Sequence, residues 1–113
     1  MKVKVLGCGD AFGSGGRLQT CFHLEAGADR FLVDCGATAM IAMRQHGIDP
    51  DMIDAVLLSH LHGDHFGGLP LILLEAQFVS RRKRPLVVAG PPGTRDRIWQ
   101  AMEVLFPRSS EIS

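Results

Sequence analysis

The chain has no excess charge of either sign: 12 Lys and Arg balance 12 Asp and Glu over its 113 residues. Net charge therefore gives no support to a nucleic-acid or membrane partner, and any basic surface has to be local. Cysteine is sparse. Cys8, Cys21 and Cys35 are unequally spaced and form no C-x-x-C pair, which argues against a disulfide framework or a cysteine-rich zinc ribbon. Reduced thiols in a cytoplasmic protein are the reading that follows. The opening MKVKVLGCGD has no long apolar segment, so no signal peptide is expected. No apolar run approaches the ~20 residues of a membrane-spanning helix. Repeats, low-complexity tracts and linkers are also missing. Neither a G-x-S-x-G elbow nor a Ser-His-Asp order occurs, which leaves serine-hydrolase chemistry without support. The glycine-rich stretch GCGDAFGSGG (7–16) lacks both the G-x-G-x-x-G spacing and a following helix, so it reads as a loop lining a cleft and not as a nucleotide cradle.

What is present is an ordinary globular composition, 46% hydrophobic and 21% charged, in a chain sized for one domain. Val3, Val5 and Leu6 form a first short strand. Alternation over Leu18–Glu25 predicts a second, AGAD turns the chain, and RFLVD (30–34) returns it as the other arm of a hairpin. ATAMIAMRQHG predicts a helix of about three turns closed by Gly47. A strand centred on Ala55 to Leu58 follows, then a buried helix in LPLILLEAQFVS from Leu69, with a strand as the alternative for its apolar residues, and a strand over Leu86–Ala89. A last helix, capped by Thr94 and stopped by Pro107, presents Ile98, Met102, Leu105 and Phe106 on one face. Trp99 and the methionines read as core. The order β-β-β-α-β-α-β-α predicts a layered α/β domain with a mixed sheet.

The chemistry concentrates in SHLHGDH (59–65), which holds 3 of the chain's 5 histidines. His60 and His62 are two apart, so in an extended segment their side chains point the same way. Gly63 then permits a sharp turn that returns Asp64 and His65 toward the same point. Neutral imidazoles and a carboxylate gathered this closely suit a divalent transition metal. Four donors in six residues crowd a single ion, whereas two ions divide them: His60 and His62 to one, Asp64 and His65 to the other. A water shared by two cations loses its proton near neutral pH and becomes a nucleophile.

SHLHGDH matches the H-x-H-x-D-H signature of the metallo-β-lactamase superfamily. Its context AVLLSHLHGDHFGGLPLIL is similar to the ribonuclease Z and phosphodiesterase branch, as are VLGCGDAFGSGGR and RFLVDCGATA upstream. The resemblance runs from Lys2 to about Phe106. It implies one half of an αββα sandwich with helices on one sheet face, residues 1–113 being the amino-terminal half. It also implies a metal-dependent hydrolase that uses a dinuclear zinc centre, with manganese or iron as other possibilities, acting on phosphodiesters. By the same resemblance His60 and His62 hold the first metal, Asp64 and His65 the second. Asp64 also orients or deprotonates the attacking water, and Asp34 braces the ligand loop by hydrogen bonds. No substrate-binding residue is assigned.

The sequence departs from that pattern after the motif. No histidine follows His65, and the only later aspartate, Asp96, falls inside a predicted helix. His23, in mid-strand, and His46, at a helix end, read as structural. The expectation is a chain that lacks its carboxyl-terminal half or works as a homodimer. One sheet face and one edge would then be uncovered, and the isolated chain would be inactive. RRKR (81–84) reads as a solvated helix end, with contact to an RNA-like phosphodiester as the sharper reading. Cys35 reads as a small buried residue, with metal ligation as its alternative. Two further function classes stand beside the phosphodiesterase: a non-catalytic binding module, and a thioester or lactone hydrolase on the same scaffold.

Overall fold

A computed structural model describes residues 1–109. Five strands form one mixed sheet in sequence order: β1 (Lys2–Gly7), β2 (Cys21–Ala26), β3 (Asp29–Val33), β4 (Ala55–Leu57) and β5 (Val87–Ala89). The first three pair antiparallel; β3–β4 and β4–β5 pair parallel. Parallel neighbours need crossovers, and helices supply them. The chain passes from β3 to β4 through α1 (Ala39–Gln45), and from β4 to β5 through α2 (Gly63–Phe66) and α3 (Leu69–Phe78). It ends with α4 (Thr94–Leu105). The predicted layered α/β architecture and mixed sheet are present. The short α2 is an addition that the sequence pattern did not reveal.

Local chemistry accounts for most boundaries. The β2–β3 hairpin closes through a two-residue loop whose first member, Gly27, sits at φ 62°, a conformation open to glycine. Helix α1 ends in a Schellman motif: the Ile48 N–H donates to the Met43 carbonyl at 2.8 Å and the Gly47 N–H to Arg44 at 3.3 Å, with Gly47 at φ 68°. Thr94 does not cap α4, contrary to the sequence reading. Gly93, at φ 88°, takes the cap position, and the Thr94 hydroxyl donates instead to the Pro91 carbonyl at 2.6 Å.

The sheet register separates two faces. On one, His23, Leu32, Val56 and Val88 lie side by side, and Leu32 and Val56 join a core with Ala39, Ala42, Met43, Leu69, Ile72, Ile98 and Met102. Every helical contribution to the core is made on this face, as a half-sandwich requires. The opposite face carries two apolar rows, Val3–Leu24–Phe31–Ala55–Val87 and Val5–Phe22–Val33–Leu57–Ala89. Val3, Val5, Leu57 and Val87 on it are exposed. An apolar sheet face left open is the uncovered face that the resemblance implied.

Two helix readings need correction. α3 buries Leu69, Pro70 and Ile72 but leaves Leu71 and Phe78 exposed, so it is covered on one side only. Trp99 is not core. It is 47% exposed on α4, with Arg95 stacked 5.7 Å from its ring centroid, and Leu105 is exposed as well. Of the methionines only Met43 and Met102 are in the core; Met1 and Met52 are exposed. The RRKR stretch is half structural. Arg82 donates to the carbonyls of Pro50, Asp51, Ile53 and Pro85, and Arg84 pairs with Asp54 at 2.9 Å. Among the described residues no helix is long and apolar enough to cross a membrane.

Candidate metal centre

The motif leaves the carboxyl end of β4, and a loop at the end of β3 braces it. Asp34 is held at φ 60°, an uncommon conformation for a residue with a side chain. From there its backbone N–H donates to the Leu57 carbonyl at 2.8 Å while its carboxylate turns toward the motif. Next along the chain, the Cys35 N–H donates to the His65 carbonyl at 2.7 Å, and the Cys35 carbonyl accepts from Gly68 at 3.0 Å. This contact requires glycine at 36 and 68. A Cβ on Gly36 would lie 2.6 Å from the Asp64 carbonyl oxygen, and one on Gly68 would lie 2.1 Å from that of Gly36. The Asp-Cys-Gly and His-Phe-Gly-Gly stretches are thus two sides of one backbone seam.

Cys35 is fully buried in that seam, and burial pushes its thiol well above the usual range, which fits the small buried residue and not an extra ligand. Gln19 ties the glycine-rich loop to the same place. Its side-chain oxygen accepts from Ala37 at 2.7 Å, and its amide donates to Ala11 at 3.2 Å.

Asp34 is 4% exposed. One carboxylate oxygen accepts from the Ser59 N–H at 2.8 Å and the Ser59 hydroxyl at 2.9 Å. The other lies 2.8 Å from that hydroxyl and accepts from His65 Nδ1 at 2.9 Å. Burial works to raise its pKa, but the bonds from Ser59 and His65 outweigh that effect and hold the carboxyl below the usual range. Asp34 thus joins Ser59 and His65 through one carboxylate.

The motif side chains come together in pairs. The His60 and His62 rings lie 4.9 Å apart, edge to face; His60 and His65 lie 3.9 Å apart; His65 Nε2 is 3.3 Å from an Asp64 oxygen. Gly63 is not the turn-maker that the sequence suggested. It sits outside the positive-φ positions, and a Cβ there would meet open space. The start of α2 performs the return, with the His65 and Phe66 N–H groups donating to the His62 carbonyl and Phe66 buried as its anchor. His23 and His46 stand outside the constellation: His23 is buried in β2, and His46 caps α1. Asp96 is exposed on α4, whose Arg97 donates to the Leu61 carbonyl at 3.3 Å and so brings a cation to the motif loop. Sequence reasoning missed Arg97 and Ser59. The hydroxyl directly before the motif was the available signal for Ser59.

The donor chemistry, three imidazoles and a carboxylate at one end of the sheet, fits a divalent metal. The arrangement is incomplete, however. Among the described residues no group of three or more His, Cys, Asp or Glu side chains is set to hold an ion.

Fold and motif together define a protein of the metallo-β-lactamase fold, allied to ribonuclease Z. Over residues 1–104 the chain matches the family model described as Anti-Pycsar protein Apyc1, and it belongs to that family. It is 39% identical over 89 residues to the Anti-Pycsar protein Apyc1 of Paenibacillus sp. (strain J14), covering 79% of this chain and 36% of that protein. It is 35% identical over 107 residues to the human zinc phosphodiesterase ELAC protein 1, covering 92% and 30%. The crystal structure of human tRNase Z, short form, superposes with a TM-score of 0.81 at 35% identity, over 93% of this chain and 40% of that one. The Bacillus subtilis metallo-β-lactamase fold protein YhfI gives 0.73 at 26% identity, covering 87% and 39%. The chain therefore spans about a third of the length of the curated relatives it matches.

Proposed function

We propose that the chain carries the first metal-binding half of a dinuclear phosphodiesterase centre. His60 and His62 hold one divalent ion, Asp64 and His65 a second, with zinc as the resident metal. The observation that carries this reading is the pairing of four motif donors beyond β4 with Asp34 behind them, on a chain whose relatives include a zinc phosphodiesterase and ribonucleases Z. The ions would supply Lewis-acid activation of water and charge neutralisation at the phosphoryl oxygens. The chain's own residues act around that chemistry. Asp64, adjoining His65, orients the attacking water and accepts its proton. Asp34 keeps the His65 ring from turning.

A closed dinuclear centre needs more donors than the motif supplies, and no histidine follows His65. A further segment or a partner subunit provides them. The open apolar sheet face is the surface against which a second sheet, from either source, would stack. The substrate class is a phosphodiester, RNA included.

The test compares hydrolysis of bis(p-nitrophenyl) phosphate, a thioester and a lactone in zinc-containing buffer. The chain is assayed alone and then joined to the remainder of a relative such as the human zinc phosphodiesterase. Phosphodiester cleavage confined to the joined form supports the proposal. Preference for the thioester or lactone reassigns the substrate class. Absence of all three activities in a folded, zinc-loaded joined form supports the non-catalytic module.

A further inference from the structure

We propose that Ser59 is a positioning residue that fixes the tautomer of His60 and so aims its Nε2 at the metal. Its consequence for metal rests on the reading above, but the proton arrangement does not. The Ser59 hydroxyl has one proton and three close neighbours: the Asp34 oxygens at 2.9 and 2.8 Å, and His60 Nδ1 at 3.0 Å. Asp34 also accepts from the Ser59 backbone N–H at 2.8 Å, a group that only donates. If the hydroxyl gave its proton to His60, its oxygen would face both carboxylate oxygens with nothing between them. That places acceptors against an acceptor at hydrogen-bond distance.

The proton therefore goes to Asp34, and the serine oxygen can only accept from His60. His60 must carry its ring proton on Nδ1. The Nε2 lone pair is left free on the far side of the ring.

Asp34 thus controls two histidines by different routes. It accepts directly from His65 Nδ1 at 2.9 Å, and it reaches His60 only through the serine hydroxyl. His60 is held with Nε2 as the ligating atom before any ion arrives, while His65 Nε2 already faces an Asp64 oxygen at 3.3 Å. A neutral imidazole in the other tautomer would have to move its proton before it could bind a metal through Nε2. Ser59 is exposed and has no part in the core, so this polar relay is what its side chain contributes.

The experiment uses the full chain, labelled with nitrogen-15 at histidine, as wild type, Ser59→Ala and Ser59→Thr. Long-range proton–nitrogen spectra are recorded at a pH well above the usual imidazole pKa of about 6.5. The expected result is a wild-type His60 protonated at Nδ1, a shift of the Ser59→Ala population toward the Nε2-protonated form, and recovery in Ser59→Thr. His65, held directly by Asp34, keeps Nδ1 protonation in all three and reports that the fold around the site is intact. A wild-type His60 protonated at Nε2, or an alanine variant unchanged at His60, overturns the proposal.

Zinc affinity by competition with a chromophoric chelator accompanies the spectra. Ser59→Ala should weaken binding about 10-fold, the usual scale for losing a hydrogen bond behind a ligand, with threonine restoring it. If the wild type binds no zinc while His60 behaves as stated, the tautomer relay stands and the metal reading fails. If zinc binds tightly and equally in all three variants with an unchanged His60, the reverse holds.

Discussion

At the scale of single residues, the two kinds of histidine in this chain differ in what holds them. His60 and His65 have polar partners at Nδ1, whereas His23 is buried in β2, 5% exposed, beside the hydrocarbon of the core face. Burial disfavours the charged imidazole and lowers the His23 pKa. Glu25 opposes that shift, while Arg30 and Lys4 reinforce it. A base whose pKa is lower in the folded state binds fewer protons folded than unfolded once the pH drops below the unfolded value, about 6.5. Its contribution to stability is therefore complete above that value and is lost as the pH falls toward the folded pKa. Urea midpoints from pH 8 down to about 5 should fall more steeply for the wild type than for His23→Leu, which cannot titrate there. Parallel curves would show that His23 is not neutral by burial.

At the scale of elements, the seam between the β3 loop and α2 is the part that organises the site. A single added methyl should disrupt it. Gly68→Ala places a carbon 2.1 Å from the Gly36 carbonyl oxygen, so the backbone must move; Gly63→Ala, inside the motif itself, meets nothing within 4 Å. The expected outcome is a loss of about 1–3 kcal/mol in unfolding free energy for Gly68→Ala and little change for Gly63→Ala, measured by denaturant titration. The opposite ranking would contradict the seam.

This pair also shows how far the sequence could be read. The five strands, three of the helices and the C′ role of Gly47 were legible because each has a local cause: alternation, an apolar face, a left-handed residue. The gathering of His60, His62, Asp64 and His65 at one place was legible because H-x-H-x-D-H is dense. Gly68 and Arg82 were not, since each meets residues about 30 positions away that only the fold brings near, and the link from Ser59 to Asp34, 25 positions away, was hidden for the same reason. The reading of Gly63 went astray because a helix start and a glycine turn both reverse a chain. Trp99 was misread because a helix pattern does not say how much of its apolar arc finds cover.

At the scale of the whole molecule, the open sheet face dominates. Two apolar rows cross all five strands with Val3, Val5, Leu57 and Val87 exposed. The chain matches its relatives over only about a third of their length. A surface of this kind lowers its free energy by being covered. The chain alone should self-associate and bind a hydrophobic dye, and the double variant Val5→Lys, Leu57→Lys should reduce both effects without unfolding it. Light scattering and dye fluorescence read the result. A wild type that stays monomeric and dark at high concentration would mean the face is satisfied as it stands.

Zinc retention decides whether the stretch between β4 and α3 binds metal as proposed. The chain is loaded with zinc, dialysed against metal-free buffer and analysed for bound zinc by elemental mass spectrometry, as wild type and as His62→Ala. The wild type should retain zinc, weakly where the chain stands alone and more firmly in the joined form, and His62→Ala should lose it. Equal retention by the two would place the metal elsewhere and remove His62 from its ligands.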